Sequence, residues 1–213
     1  MSVTVKICGL TNPGDARAAA EAGADYLGFV FDPASPRHVG ATAASWIRPV
    51  ERPPTVGVFR NQDPDLVRRV REEADLDFIQ LHGNETPELC AELGGRARVI
   101  KAIQVTGSVD WGVVAALGQV AQVLFDTGSP GGGGTGRAFD WTLLAGAPSG
   151  IGFWVAGGLT PDNVALAVRT ARPAGVDVAS GVEAALGHKD AAKMRAFIAA
   201  VRGMAQAGGG TKE

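Results

Sequence analysis

The stretch VTVKICGLTNPGDARAAAEAGADYLGFVF, residues 3–31, reads as one strand, one helix and the next strand. VTVKIC is a short apolar run rich in β-branched residues. Asn12 and Pro13 then stand where a helix cap and a first helical residue belong, ahead of an alanine-rich body that stops at Gly23. YLGFVF (26–31) is again apolar throughout, as a strand covered on both faces must be.

The same unit recurs along the chain. Further strand runs are TVGVFR (55–60), DFIQLH (77–82), ARVIKAI (97–103), AQVLFD (121–126), GFWVAG (152–157) and GVDVAS (175–180). Helical patterns lie between them. In DPDLVRRVREEAD (63–75), Leu66, Val67, Val70 and Ala74 share one face and the Arg and Glu residues the other. TPELCAELGG (86–95), SVDWGVVAALG (108–118), DWTLLAG (140–146), TPDNVALAVRTA (160–171) and KDAAKMRAFIAAVRG (189–203) follow the same plan, while Pro49 truncates the helix expected in ATAASWIRPV (41–50). Eight strand–helix units with no long linker predict an α/β protein, a single compact (β/α)8 TIM barrel over residues 1–205, with a disordered Gly-rich tail at 206–213. An open doubly wound sheet would carry G-x-G-x-x-G after its first strand, and CGLTNPG lacks that spacing.

Composition narrows the function. The 213 residues are 46% hydrophobic with a net charge of −2, enough for a sizeable core and without the basic stripe that nucleic acid requires. No apolar stretch reaches the roughly 18 residues of a membrane span, and the N-terminal residues lack a signal-peptide pattern. The expectation is a cytoplasmic protein with no nucleic-acid or membrane partner. Cys8 and Cys90 form neither a metal-ligand spacing nor a disulfide framework, so two reduced thiols and no metal are expected.

In a TIM barrel the active site lies at the C-terminal ends of the strands. Cys8, His82, Asp126 and the segment Asp177 to Ser180 fall there, and Arg37 lies in the loop after the second strand. As a small buried hydrophobe Cys8 needs no further account. As a strand-end thiol, titrating ordinarily near about 8.5, it also suits a base or nucleophile. Cys90, inside a helix, is explained by packing. Asp126 ends an apolar run, where capping, pairing with an arginine, or acid catalysis aided by partial burial are all open. His82 reads as a satisfied polar residue under a loop rather than a base. Arg37 is either simply solvated or salt-bridged, or, facing the mouth, suits a substrate carboxylate through a bidentate pair. Gly157, Gly158, Ser180 and Gly181, in the turns after strands 7 and 8, could serve turn formation alone, but two glycine turns at these two strands favour backbone amides approaching a phosphate. The glycine-rich DTGSPGGGGTGRAFDW (126–141) is not a P-loop, because no Gly-Lys-Ser/Thr ends it, and suits a loop closing over a ligand.

Taken in order, KICGLT, GADYLGFVF with SPRHV, QLHGNE, LFDTGSPGGGGTGRAFDW, VAGGLTPDNV and GVDVASGVE resemble the phosphoribosylanthranilate isomerase family over nearly the whole chain. The resemblance implies an Amadori rearrangement of a small phosphosugar in tryptophan biosynthesis, with no cofactor, in a monomer or homodimer. It implies that Asp126 is the general acid, Cys8 the general base, Arg37 the ligand of the anthranilate carboxylate and Asp177 a ribose-hydroxyl contact. It assigns the phosphate to Gly157, Gly158, Ser180 and Gly181. One departure is the run Gly131 to Gly134, which implies a more mobile loop than bulkier residues would give. Other phosphosugar barrels fit less well: an epimerase needs metal-binding His and Asp at strand ends, and an indole-glycerol-phosphate synthase a lysine acid. A non-catalytic phosphate binder or redox thiol protein would have no need of Asp126.

Overall fold

The computed structural model describes residues 2–40, 43–47, 53–118, 120–127 and 138–207. Strands β1 (Thr4–Ile7), β2 (Tyr26–Val30), β3 (Thr55–Phe59), β4 (Phe78–Leu81), β5 (Val99–Val105), β6 (Gln122–Thr127), β7 (Phe153–Val155) and β8 (Gly175–Val178) pair in sequence order into a closed parallel barrel. Closure runs through β1, where Lys6 registers with Tyr26 on one side and with Asp177 on the other.

The two apolar faces of each strand have different destinations. Val5, Ile7, Leu27, Phe29, Phe125 and Val176 face outward into the core shared with the helices. Val56, Ile100, Leu124 and Trp154 fill the barrel, with Tyr26 and Phe78 packed on them. Tyr26 meets Phe78 and Trp154 edge-on, at centroid distances of 5.6 and 5.0 Å. Gly175 makes room for this layer, since a Cβ there would lie 2.7 Å from the Trp154 indole nitrogen. This layer fills the barrel below the cleft at the strands' C-terminal ends.

The helices are α1 (Pro13–Glu21), α2 (Ala44–Ile47), α3 (Pro64–Glu73), α4 (Pro87–Glu92), α5 (Gly95–Arg98), α6 (Trp111–Ala116), α7 (Val164–Ala171) and α8 (Ala191–Ala207). Side chains of Asn12, Asp63, Thr86 and Asp110 cap α1, α3, α4 and α6, the first three followed by proline at the start of the helix. These caps fix where each loop above the barrel ends and so limit how far its residues can move from the mouth.

Several boundaries differ from the sequence reading. The helix expected over 86–95 breaks where Gly94 and Gly95 adopt φ of 124° and 48°, and α5 occupies the residues where β5 was expected to begin. DWTLLAG forms only a 3-10 turn, Trp141–Leu144. A hairpin, β9 (Glu183–Ala185) with β10 (His188–Lys189), follows β8 and was not expected, since its residues show no apolar alternation. Helix α8 runs two residues past the expected barrel boundary. Residues 208–213 of the expected tail and the run Gly131 to Gly134 lie outside the described residues. Among the described residues no helix is long and apolar enough to cross a membrane.

The mouth is braced below its rim by Glu85. Its carboxylate accepts from the backbone N–H of Asn61 and of Gly83 and from Lys101 Nζ, each at 2.8 Å. Burial alone would raise the Glu85 carboxyl, but Lys101 and the Asn61 amide outweigh it and hold it below the usual range. A carboxyl depressed in the folded state contributes stability above its unfolded pKa and loses it as pH falls through the folded value. Glu85→Gln is therefore expected to cost about 3 kcal/mol at neutral pH by leaving Lys101 buried without its anion. In urea titrations the gap from wild type should close below about pH 4; a gap independent of pH would refute this role.

Candidate active site

One cleft opens at the C-terminal ends of the strands, and Cys8, Arg37, His82, Asp126, Gly157, Gly158, Asp177 and Ser180 all line it. Residues far apart in sequence meet there because each follows or ends a barrel strand. Gly181 does not line the cleft. A Cβ on it would strike the carbonyl oxygen of Leu159, so it lets the loops after β7 and β8 touch backbone to backbone.

Cys8 stands one residue beyond β1, its N–H bonded to Val178 O at 2.8 Å. Below it Lys6 is fully buried and pairs with Asp177 Oδ1 at 3.1 Å. Gly28 leaves the space both side chains use, because a Cβ there would lie 2.8 Å from Cys8 Sγ and 3.1 Å from Lys6 Cε. Burial pushes the Cys8 thiol up, and the Lys6 ammonium partly opposes that. Burial also pushes Asp177 up against the pull of Lys6. The Lys6 ammonium itself lies above its usual value, since Asp177 and Cys8 together outweigh the desolvation that lowers it.

Across the cleft, Asp126 accepts the Thr127 N–H on Oδ1 at 2.7 Å and faces His82 Nε2 with Oδ2 at 3.1 Å. Gln80 Nε2 lies 2.9 Å from His82 Nδ1, so the imidazole is held between Gln80 and Asp126. His82 is thus a satisfied polar residue, as expected, but on the cleft wall rather than under a loop. Gly157 presses on this carboxylate: a Cβ would lie 2.6 Å from Asp126 Oδ1. Gly157 and Gly158 adopt φ of 80° and 63°, and the turn they begin is tied by Asn163, which accepts from Thr160 N–H and donates to Gly158 O.

Arg37 reaches the cleft with its fork already engaged. Its Nε and Nη2 donate to the two Glu183 oxygens at 2.7 and 2.8 Å, and Lys189 Nζ donates to the same carboxylate at 3.0 Å. Burial would raise Glu183, but the Arg37 hydrogen bond and Lys189 hold it below its usual range. Lys189 is lowered by burial despite Glu183. The three side chains carry one net positive charge, and the Glu183 pairing leaves Arg37 Nη1 as the edge that can turn to a ligand.

Lys6, Gln80, Glu183 and Lys189 went unread in the sequence. Lys6 had a usable signal: a lysine inside an apolar strand, two residues before Cys8, must share its face. Glu183 and Lys189 had none, since the hairpin that carries them is invisible to hydrophobic pattern.

A family model described as N-(5'-phosphoribosyl)anthranilate (PRA) isomerase matches residues 5–200. The chain belongs to the N-(5'-phosphoribosyl)anthranilate isomerase family. Within that family the N-(5'-phosphoribosyl)anthranilate isomerase of Myxococcus xanthus is 51% identical over 212 residues, covering 95% of this chain and 97% of that protein. The phosphoribosyl anthranilate isomerase of Thermotoga maritima superposes with a TM-score of 0.84 at 38% identity, over 94% of this chain and 99% of that one. A phosphoribosyl anthranilate isomerase solved with reduced 1-(o-carboxyphenylamino)-1-deoxyribulose 5-phosphate superposes at 0.82 with 36% identity, over 94% and 99% of the two chains.

Proposed function

We propose that this isomerase of tryptophan biosynthesis rearranges N-(5'-phosphoribosyl)anthranilate to 1-(o-carboxyphenylamino)-1-deoxyribulose 5-phosphate with Asp126 as general acid and Cys8 as general base. The observation that carries the reading is the placement of a buried thiol and a strand-end carboxylate on opposite walls of one cleft, between an arginine and two glycine turns.

The steps balance without a redox group. Asp126 gives a proton to the furanose ring oxygen, the bond from that oxygen to C1' breaks, and the nitrogen lone pair forms a protonated C1'=N Schiff base. The Cys8 thiolate then takes the C2' proton. The C2'–H electron pair becomes the C1'=C2' bond and the C=N pair returns to nitrogen, giving an enolamine. Its O2' proton is lost and C1' gains one, leaving the ketone. Asp126 has lost one proton and Cys8 has gained one, so exchange at the open cleft restores both.

The substrate's ends fit the two sides of the cleft. Backbone amides in the Gly157–Gly158 turn and at Ser180 suit the phosphate, with Gly181 holding the two turns together. Asp177 suits a ribose hydroxyl, and Arg37 the anthranilate carboxylate through Nη1, with Glu183 as a buttress. Arg37→Ala is expected to raise KM about 10- to 100-fold, as for a lost charge-assisted hydrogen bond, with kcat little changed. Glu183→Gln should move KM in the same direction. On a substrate analogue lacking the carboxylate neither change should matter; equal losses on both substrates would place Arg37 elsewhere. The same reading makes the protein a cytoplasmic enzyme, monomer or homodimer, that binds neither nucleic acid nor membrane.

A further inference from the structure

A fully buried ammonium is costly unless it is paired and hydrogen-bonded. Lys6 is such a group: it is 0% exposed, inside the barrel, on the strand that delivers Cys8. Residues i and i+2 of a strand share a face, so Lys6 lies directly below the thiol. Gly28 on the neighbouring strand supplies the room, with Lys6 Cε and Cys8 Sγ bounding the same gap. Asp177 Oδ1 lies 3.1 Å from the ammonium. One cation therefore neighbours two groups that can each become anionic.

We propose that Lys6 is a positioning residue for the reaction: its single buried charge stabilises the Cys8 thiolate, and Asp177 competes with Cys8 for that charge. The inference rests on Cys8 being the base, but it concerns the empty site and can be tested there. The charged groups acting on the thiol are Lys6 from its own strand, Asp177 from β8 and Lys189 from β10, while Cys8 in turn acts on Arg37 in the loop after β2. Asp126 on β6 and His82 beyond β4 act on Asp177. Among the cations, Lys6 acts most strongly on the sulfur, and Asp177 opposes it. A lysine that only tied β1 to β8 would have no such opposed effect on sulfur.

The test is iodoacetamide alkylation of the substrate-free protein from about pH 6 to about pH 11.5, a window extended above the ordinary thiol range because burial raises Cys8. Cys8 is followed by mass spectrometry of its own peptide, which keeps Cys90 out of the signal. Lys6→Met should move the alkylation midpoint up by about one pH unit or more, a tenfold loss of thiolate at neutral pH. Lys6→Arg should stay near wild type. Asp177→Asn should move the midpoint down, because the competitor for the charge is gone. Opposite shifts in the two variants support the proposal; an unmoved midpoint, or the same direction in both, overturns it. If Lys6→Met does not fold, Asp177→Asn decides alone: a lower midpoint supports the proposal, and an unchanged or higher one overturns it. No substrate is present, so the result stands apart from any failure of the isomerase reading.

Discussion

In the Cys8→Ala enzyme kcat is expected to fall by about 10²- to 10⁴-fold, the range typical for loss of a positioned base, with KM nearly unchanged. The carboxylate, phosphate and ribose contacts do not involve the sulfur, so binding survives. The alanine is also tolerated structurally, since it removes only Sγ from a position already beside the open cleft. The ring should still open in this variant, because Asp126 is intact. The Schiff base then accumulates, and borohydride should trap it in Cys8→Ala. Steady-state rates unchanged from wild type would remove Cys8 from the chemistry. Burial raises the thiol, so in the empty enzyme the base form is the minority species at neutral pH, gaining about tenfold per pH unit. The rising limb of kcat/KM with pH should therefore belong to Cys8.

Asp126→Asn is expected to lose a similar factor, about 10²- to 10⁴-fold in kcat, for a different reason. The amide keeps the shape of the carboxyl group but cannot protonate the ring oxygen, so the ring stays closed and borohydride traps nothing. This contrast separates the two roles. Accumulated Schiff base in Asp126→Asn would mean that another group opens the ring, and His82, 3.1 Å from Asp126 Oδ2, would be the first to examine.

The barrel was legible because strand and helix periodicities are local. Each of the eight strand runs contains or overlaps an observed strand, and Asn12 caps α1 as its place before Pro13 implied. Places where local pattern ran out were decided by backbone conformation. Gly94 and Gly95 end α4 through positive φ, which no hydrophobic count registers. The candidate site was legible in the same measure. Cys8, Asp126, Asp177 and Ser180 could be placed on the mouth because strand ends converge there. Their partners could not: the Arg37–Glu183 pair joins residues 146 apart through a hairpin without apolar alternation. The sequence offers Gly181 as a phosphate contact beside Ser180; the structure adds that its missing Cβ lets the Leu159 carbonyl approach, a demand that no sequence pattern registers.

Whether a thiol and a carboxylic acid on opposite walls of one cleft carry the isomerisation is decided by the loss of N-(5'-phosphoribosyl)anthranilate fluorescence, followed side by side in wild type, Cys8→Ala and Asp126→Asn at equal folded concentrations. The expected result is turnover in wild type and a loss of about 10²-fold or more in each variant. Turnover in either variant equal to that of wild type would contradict it.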